Sequence, residues 1–404
     1  MLKSIAFVLT QSMDSPGGLG RYGPLAKELS QRGYEVHIIA LHYDFHSLNK
    51  LEWLEDGVHI HYVGQMHVKK IGSEKLYFKP TKLVWIALLA TIKLTIALFK
   101  INPEAVHLAK PHPMNGIATW LFTTVKNVPL YADCDDYEAA INHFGGNWQR
   151  KIVAWFEKYL PLQAKAITVN TEFTRKRLIR LGYKTENIIY VPNGVDRERF
   201  TKINTVSVNA LKNTFGLHGK KVILYVGSLS LVSHNIDLLL KAFAQITPHI
   251  KDTVLMLVGG GEDRQLLLQL SDQLDLHDKV IHVGKVTPAE VPNYYKLAYL
   301  TVDPVVNSEV HQARCPLKIF ESLAMGVPVV TSDVGDRHFL LQNGDFGFLA
   351  DPNDVNGLAK VLIMAIQNES QINEMSQKIL NERENIKVYW DLLIDDFIKV
   401  YDNH

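Results

Sequence analysis

Two hydrophobic rhythms alternate along this chain. Short apolar runs at 4–10, 35–41, 104–109 and 129–133 have the length and composition of buried strands. Between them, apolar residues recur three and four apart. Leu25, Ala26 and Leu29 predict a helix over 22–32, closed by Gly33. The alternation continues through a strand at 166–170, a helix at 171–181 and a strand at 187–191, and then meets the turn Pro192-Asn193-Gly194. It starts again with strands at 221–226, 253–258, 279–283 and 300–303, and with helices at 235–246 and 291–298. Residues 227–233 read as the loop after the first of these strands. Strand, helix and strand repeated in both halves predict an α/β protein. Its two doubly wound, Rossmann-like domains would have strand ends facing a cleft. The first would span 1–192 and the second 193–383. An amphipathic helix with Trp390, Leu393 and Phe397 would end the segment 384–404, after a polar linker.

One stretch, 315–331, reads as loop, helix, turn and strand. Pro316 suits a first helical turn, and Leu317, Phe320, Leu323 and Ala324 form an apolar stripe. Gly326 and Pro328 end the helix, and Val327, Val329 and Val330 begin a strand. Lys318 and Glu321 share a face of that helix. A helix N-terminus favours anions, so phosphates on Lys318 and a ribose on Glu321 would suit a nucleotide sugar. The alternative is a surface Lys–Glu pair on an ordinary helix.

Other candidates lie at strand ends, where doubly wound folds bind ligands. Gly17 and Gly18 follow the first strand and would admit a phosphate or sugar close to the backbone, or serve only a turn. His107, Lys110 and His112 lie at the end of the 104–109 strand, although His107 could equally be a core histidine. Asp133, Asp135, Asp136 and Glu138 crowd the end of the next strand. They could bind a metal, act as a base, orient sugar hydroxyls or cap the following helix. Residues 65–81 are basic and aromatic, with Lys69, Lys70, Lys75, Tyr77, Phe78 and Lys79, and 83–99 is almost wholly apolar. That run is a core helix or one lying on a membrane surface, its lysines meeting anionic lipid.

Composition narrows the choices. A net charge of +1 gives no support for a nucleic-acid partner. The two cysteines, Cys134 and Cys315, are too few and too distant for a disulfide framework, which suggests a reducing, cytoplasmic compartment. The apolar run near the N-terminus is too short for a signal peptide. Neither glycine loop fits the Gly-x-Gly-x-x-Gly fingerprint, which argues against a nicotinamide dehydrogenase.

With these residues in place, the chain resembles the family 4 retaining glycosyltransferases (glycosyl transferases group 1), whose two-domain architecture is called GT-B. The marks are Gly17-Gly18, the crossover Val191-Pro192-Asn193-Gly194-Val195-Asp196, Val226-Gly227-Ser228-Leu229, Leu257-Val258-Gly259-Gly260-Gly261, Val283-Gly284 and the 316–330 stretch. The resemblance implies transfer of a hexosyl group from a nucleotide diphosphate sugar to a glycan, lipid-linked or small-molecule acceptor, with retention of configuration. It also implies a last helix, carrying Trp390, that packs on the first domain. Donor-binding positions implied are Gly17, Gly18, Ser228, Gly259, Lys285, Arg314, Lys318 and Glu321. Lys318 would ease diphosphate departure, and Asp135 or His112 would orient acceptor or sugar. No metal or other cofactor is required on this reading. Ser228 and His234 stand where the family usually has a diphosphate-binding arginine and lysine. Ala313 stands for the first of two glutamates, with Glu309 and His311 off register, and Asp135 stands for a histidine. A subset of the family lacking these groups carries Pro-Leu-Lys-x-x-Glu, as here at 316–321. The same losses suit a non-catalytic partner subunit, and a sugar-nucleotide epimerase uses the same architecture.

Overall fold

The computed structural model describes residues 2–402 except 72, 73, 142, 143, 145, 232 and 233. Val232 and Ser233 of the 227–233 loop are therefore outside the described residues, as is the side chain of Lys75. The chain divides into two compact units. One comprises the residues up to Asn193, the segment Ala313–Cys315 and the residues from Trp390 onward; the other comprises Gly194–Gln312 and Pro316–Tyr389. These bounds differ from those read in the sequence, for local reasons. The Asn193 amide donates to the Cys315 carbonyl (2.7 Å) and its Oδ1 accepts from Arg21 (3.0 Å), which holds it in the first unit. Val195 bridges to Tyr389 and donates its N–H to the Val388 carbonyl (2.9 Å), so residues 384–389 go with the second.

The first unit is built on β1 (Ser4–Val8), β2 (Glu35–His42), β3 (Glu52–Glu55), β4 (Val58–Gln65), β7 (Ala105–Ala109), β8 (Leu130–Cys134), β9 (Ala166–Val169) and β10 (Ile188–Tyr190), with a separate hairpin of β5 (Val68–Ile71) and β6 (Glu74–Tyr77). The sheet order is β10-β9-β8-β7-β1-β2-β4-β3, and only β3 runs antiparallel to its neighbour. β1 is apolar throughout because both faces are covered. Ile5, Phe7 and Leu9 face a core shared with the helices Gly23–Gln31 and Trp390–Asp402. Ala6 and Val8 face the opposite core, shared with the helix Pro80–Ile101. The strand order reverses between β1 and β7, so the loops after those strands flank the switch point.

The last helix fills its core with Trp390, Leu393, Ile394, Phe397 and Tyr401, and the Trp390 indole donates to the Gly20 carbonyl (3.0 Å). The same core holds His107, fully buried between Phe7 and Phe397, with Nδ1 2.9 Å from the Tyr401 hydroxyl. It is a core histidine, not part of a strand-end site. Burial pushes its pKa down to about 4, with Asp133 opposing and Arg21 reinforcing the shift. Between about pH 6.5 and 4 the unfolded chain therefore holds a proton that the folded chain does not. Stability is expected to fall with acidification across that window, by up to about 1.4 kcal/mol per pH unit. Urea titrations of wild type and His107→Phe across this range check the claim. An unchanged slope in the variant would refute it.

The second unit carries β11 (Lys221–Val226), β12 (Thr253–Val258), β13 (Val280–Gly284), β14 (Leu300–Asp303), β15 (Val329–Ser332) and β16 (Gly347–Ala350) in the all-parallel order β13-β12-β11-β14-β15-β16. Its switch point lies between β11 and β14. Two further helices, Val355–Gln367 and Glu369–Glu382, complete this unit and were not read from the sequence. Asp354 and Asn368 cap them through their side chains, and Leu358, Leu362, Ile372 and Ile379 bury narrow stripes. The polar outer face of Glu369–Glu382 masks its stripe in the sequence.

Candidate functional site

In the second unit, the helix Leu317–Ala324 follows β14 and the short helix Glu309–Gln312, with Pro316 as its N-cap residue in an extended conformation. Ile319, Phe320, Leu323 and Ala324 anchor it in the unit, which fixes where Lys318 points. The Lys318 ammonium lies 3.0 Å from Asp303 Oδ1, 3.4 Å from His234 Nδ1 and 4.6 Å above the centre of the Tyr225 ring. Asp303 ends β14, and its other oxygen accepts from Arg337 Nε at 2.8 Å. Arg337 Nη1 donates to the His311 and Val334 carbonyls, both at 3.0 Å, whereas the buried Nη2 has no partner among the described residues. Burial alone would raise the Asp303 carboxyl, but Lys318 and Arg337 hold it far below the usual carboxylate range. Two cations and one carboxylate thus meet beside the switch point.

The other residues expected here are placed as follows. Glu321 does not stand open as a bare acceptor. Its oxygens take hydrogen bonds from Arg199 (3.0 Å) and the Tyr295 hydroxyl (2.9 Å). Burial and the neighbouring Glu321 push the Tyr295 hydroxyl well above its ordinary pKa, so it stays a donor. Ser228 is exposed, and its carbonyl accepts from the Tyr225 hydroxyl (2.8 Å). Gly259 has φ +145°, and a Cβ there would lie 1.8 Å from the Gly227 carbonyl oxygen, so only glycine lets the loops after β11 and β12 touch. Lys285 is exposed just past β13. Arg314 is half-buried and lies in the short segment that belongs to the first unit.

Sequence reasoning missed Asp303, Arg337, Arg199, Tyr225 and Tyr295. Only Asp303 left a signal, as a carboxylate closing an apolar strand. The others are brought in by folding from distant positions.

In the first unit, Lys110 follows β7 in a left-handed conformation (φ +55°). Its ammonium lies among Asp136 (2.5 Å), Glu138 (3.0 Å) and Asp135 (3.5 Å). His112 Nε2 is 2.9 Å from the second oxygen of Glu138, so His112 and Asp135 belong to one network. Burial disfavours charge on both acids, with opposite results. Lys110 and His112 overcome it at Glu138, which is held well below its usual pKa. At Asp135, Asp136 and Asp133 add to burial against Lys110, and the carboxyl is pushed well up. The arrangement sets an ionised acceptor beside a carboxyl whose neutral form burial and its acidic neighbours favour. Asp135, Asp136 and Glu138 are close enough together to share a cation, but Lys110 already sits among them.

Asp133 has a different task. Its two oxygens take Nε and Nη2 of Arg21 (2.7 Å each), and it also accepts from Tyr22 (2.8 Å) and Thr168 (2.6 Å). All of these groups are buried. Beyond them, the loop residue Gly18 is a second obligatory glycine, since a Cβ would lie 2.5 Å from the Met13 carbonyl oxygen. Its amide donates to Ser15 Oγ (3.2 Å). A Cβ at Gly17 would meet only the end of the Gln11 side chain (Nε2 at 2.2 Å), which can move aside, so of the two glycines in the helical turns after β1 Gly18 is the one that packing requires.

Residues 17–199 match the family described as Glycosyltransferase Family 4, and residues 209–382 match Glycosyl transferases group 1. The two matches take in most of both units, and the chain belongs to the family 4 glycosyltransferases of GT-B fold. It is 28% identical over 225 residues to the N-acetyl-alpha-D-glucosaminyl L-malate synthase of Bacillus anthracis, covering 52% of this chain and 55% of that protein. The chain thus spans about half the length of that relative. It is 25% identical to an uncharacterized glycosyltransferase of Haemophilus influenzae over 93% of this chain and 94% of that one. Among solved structures, HepE of Anabaena in complex with UDP-glucose superposes with a TM-score of 0.73 at 16% identity, over 99% of this chain and 100% of that chain. At that identity the likeness carries the fold alone.

Proposed function

We propose that the protein is a retaining hexosyltransferase of the Pro-Leu-Lys-x-x-Glu type. It would move a sugar from a nucleotide diphosphate sugar to a glycan, lipid-linked or small-molecule acceptor. The observation that carries this reading is the meeting of Lys318, Arg337 and Asp303 beside the N-terminus of the helix Leu317–Ala324. A diphosphate placed there meets the Lys318 ammonium and the positive end of the helix, which would stabilise the charge that develops as it leaves. Asp303 and Arg337 hold Lys318 in place. Glu321, braced by Arg199 and Tyr295, still has lone pairs for ribose hydroxyls. On the acceptor side, Asp135 or His112 would orient the acceptor or the sugar. Lys110 supplies the positive charge among the carboxylates, so no metal is invoked. Cytoplasmic placement is part of the proposal, and two buried cysteines with no disulfide accord with it.

Calorimetric titration with UDP and GDP tests the donor site. Lys318→Ala is expected to weaken nucleoside diphosphate binding by at least about tenfold, with a smaller loss of Tm than Asp303→Asn because Arg337 still neutralises Asp303. Equal binding by both proteins would defeat the phosphate role. Ser228 and His234 keep a second reading in view, that of a non-catalytic partner subunit. Failure of the wild type to bind any nucleoside diphosphate would favour it, and conversion of a sugar nucleotide without acceptor would identify an epimerase.

A further inference from the structure

We infer that the first unit docks on an anionic lipid bilayer through three neighbouring helices, with a lysine-lined cavity at the edge of this face that takes a lipid phosphate. The helices are Pro80–Ile101, Pro113–Lys126 and Asn147–Tyr159. They lie side by side on one face of the sheet. Phe99 meets Phe122 with ring centres 5.2 Å apart, and Gly116 lets Leu160 and Phe156 pack close to the second helix. Each helix turns one stripe inward. In the first, that stripe is Ile86, Ala90, Leu94, Ala97 and Leu98. Because the stripe belongs to the core, this helix cannot leave to cross a bilayer without opening the unit, although it is long and apolar enough to do so.

The outward stripes are also apolar, which a surface facing only water does not require. Trp85 is 60% exposed, Ile96 61%, Trp120 48% and Trp155 55%. With Trp148, four of the chain's six tryptophans are exposed on these three helices. Charge points to the occupant. The three helices carry seven lysines and arginines and one acidic residue, Glu157, which is buried. The chain as a whole is nearly balanced at +1. Exposed tryptophans and aliphatic side chains among cations, with no outward acid on the helices themselves, match the interface of an anionic membrane: rings at headgroup depth, aliphatic side chains beneath, ammonium groups on phosphates. Beside them, Glu52 lies 3.4 Å from Lys100 and Asp44 lies 3.8 Å from Lys69, and a lipid phosphate would compete with these carboxylates. At the edge of this face, a cavity of about 330 Å³ opens between Phe45, Trp85 and Leu89, and three lysines, Lys69, Lys82 and Lys93, line it. Lys82 and Lys93 rest against the Phe78 and Phe45 rings, 5.2 and 4.7 Å from their centres. Cations above an apolar floor fit a phosphate head with the start of its acyl chain.

The test is co-sedimentation of the full chain with vesicles of phosphatidylcholine alone and of phosphatidylcholine with phosphatidylglycerol. Two variants are compared: Lys69→Gln with Lys82→Gln and Lys93→Gln, and Trp85→Ser with Ile92→Ser and Ile96→Ser. All the outward residues are exposed, and circular dichroism verifies folding. Wild type is expected to bind phosphatidylglycerol vesicles at least about tenfold more tightly than neutral ones, with both variants weakened about tenfold or more. Millimolar inorganic phosphate should not displace it. Three results would overturn the inference: no vesicle binding, displacement by inorganic phosphate, or a dimer in sedimentation velocity that the Trp85 variant abolishes while vesicles go unbound. The inference is independent of the nucleotide site, so Lys318→Ala should bind vesicles as wild type does.

Discussion

Replacing Asp133 by alanine is expected to cost the first unit about 3–5 kcal/mol, the range for removing one member of a buried, hydrogen-bonded ion pair. The carboxylate is the acceptor at the centre of a buried network. Arg21 spends Nε and Nη2 on it, and Tyr22 and Thr168 point hydroxyls at it. Take it away and the guanidinium remains, fully buried, with only the Val191 and Pro192 carbonyls and Asn193 Oδ1 to meet Nη1. Burial raises the Asp133 carboxyl, but Arg21 more than compensates, so its pKa lies below the ordinary value. The contribution is thus complete above about pH 4 and lost only as pH falls below it. At neutral pH the variant shows the whole loss. Replacing both residues, Arg21→Met with Asp133→Leu, should recover much of it, because two apolar groups leave no stranded charge. Urea unfolding of the three proteins decides the matter. A loss of under about 1 kcal/mol in Asp133→Ala would mean that water or rearranged carbonyls satisfy Arg21 unaided.

This network shows where sequence reading runs out. The strands were legible because β1, β7, β8, β11, β12 and β14 are buried on both faces and are therefore mostly apolar, with His107, Asp133 and Asp303 among the polar exceptions. The glycines were legible for the same steric reason that makes Gly259 obligatory. Asp133, however, looked like one of four equivalent acids at a strand end. The end of β8 at Cys134 separates them, since alternation alone would leave Asp133 and Asp135 on one face. Asp133 turns under the strand ends toward Arg21, while Asp135, Asp136 and Glu138 gather on Lys110. A sequence gives the residue types at a strand end but not which face each takes once the strand stops. Arg21 itself gave no sign, since an arginine opening a helix usually reads as surface. Similarly, Lys318 and Glu321 were placed on one helical face by spacing, yet their partners, Asp303 for one and Arg199 and Tyr295 for the other, are set by tertiary packing.

The second unit should respond to Asp303→Asn in two opposite ways. Without nucleotide, the substitution leaves the Lys318 and Arg337 cations beside each other with no anion between them. A loss of about 3–5 kcal/mol is expected, as for other half-broken buried pairs. The asparagine amide fills the same space, so the loss reports charge rather than packing. With a diphosphate present, the logic reverses. In the wild type, Asp303 competes with an incoming anion for Lys318, only 3.0 Å away. In the variant, the anion becomes the missing counter-charge. Saturating UDP or GDP, whichever the wild type binds, should therefore raise the Tm of Asp303→Asn more than that of wild type, since a ligand selective for the folded state stabilises in proportion to its binding. Lys318→Ala moves the other way, with a smaller loss of Tm, because Arg337 stays on Asp303, and a smaller response to nucleotide. The two variants together separate an anion site from a structural ion pair. If Asp303→Asn loses stability but gains nothing extra from nucleotide, Asp303 is a brace for the fold and Lys318 does not meet the phosphates. If it loses no stability, the buried pair contributes nothing to the unit, and the position of Lys318 rests on its helix alone.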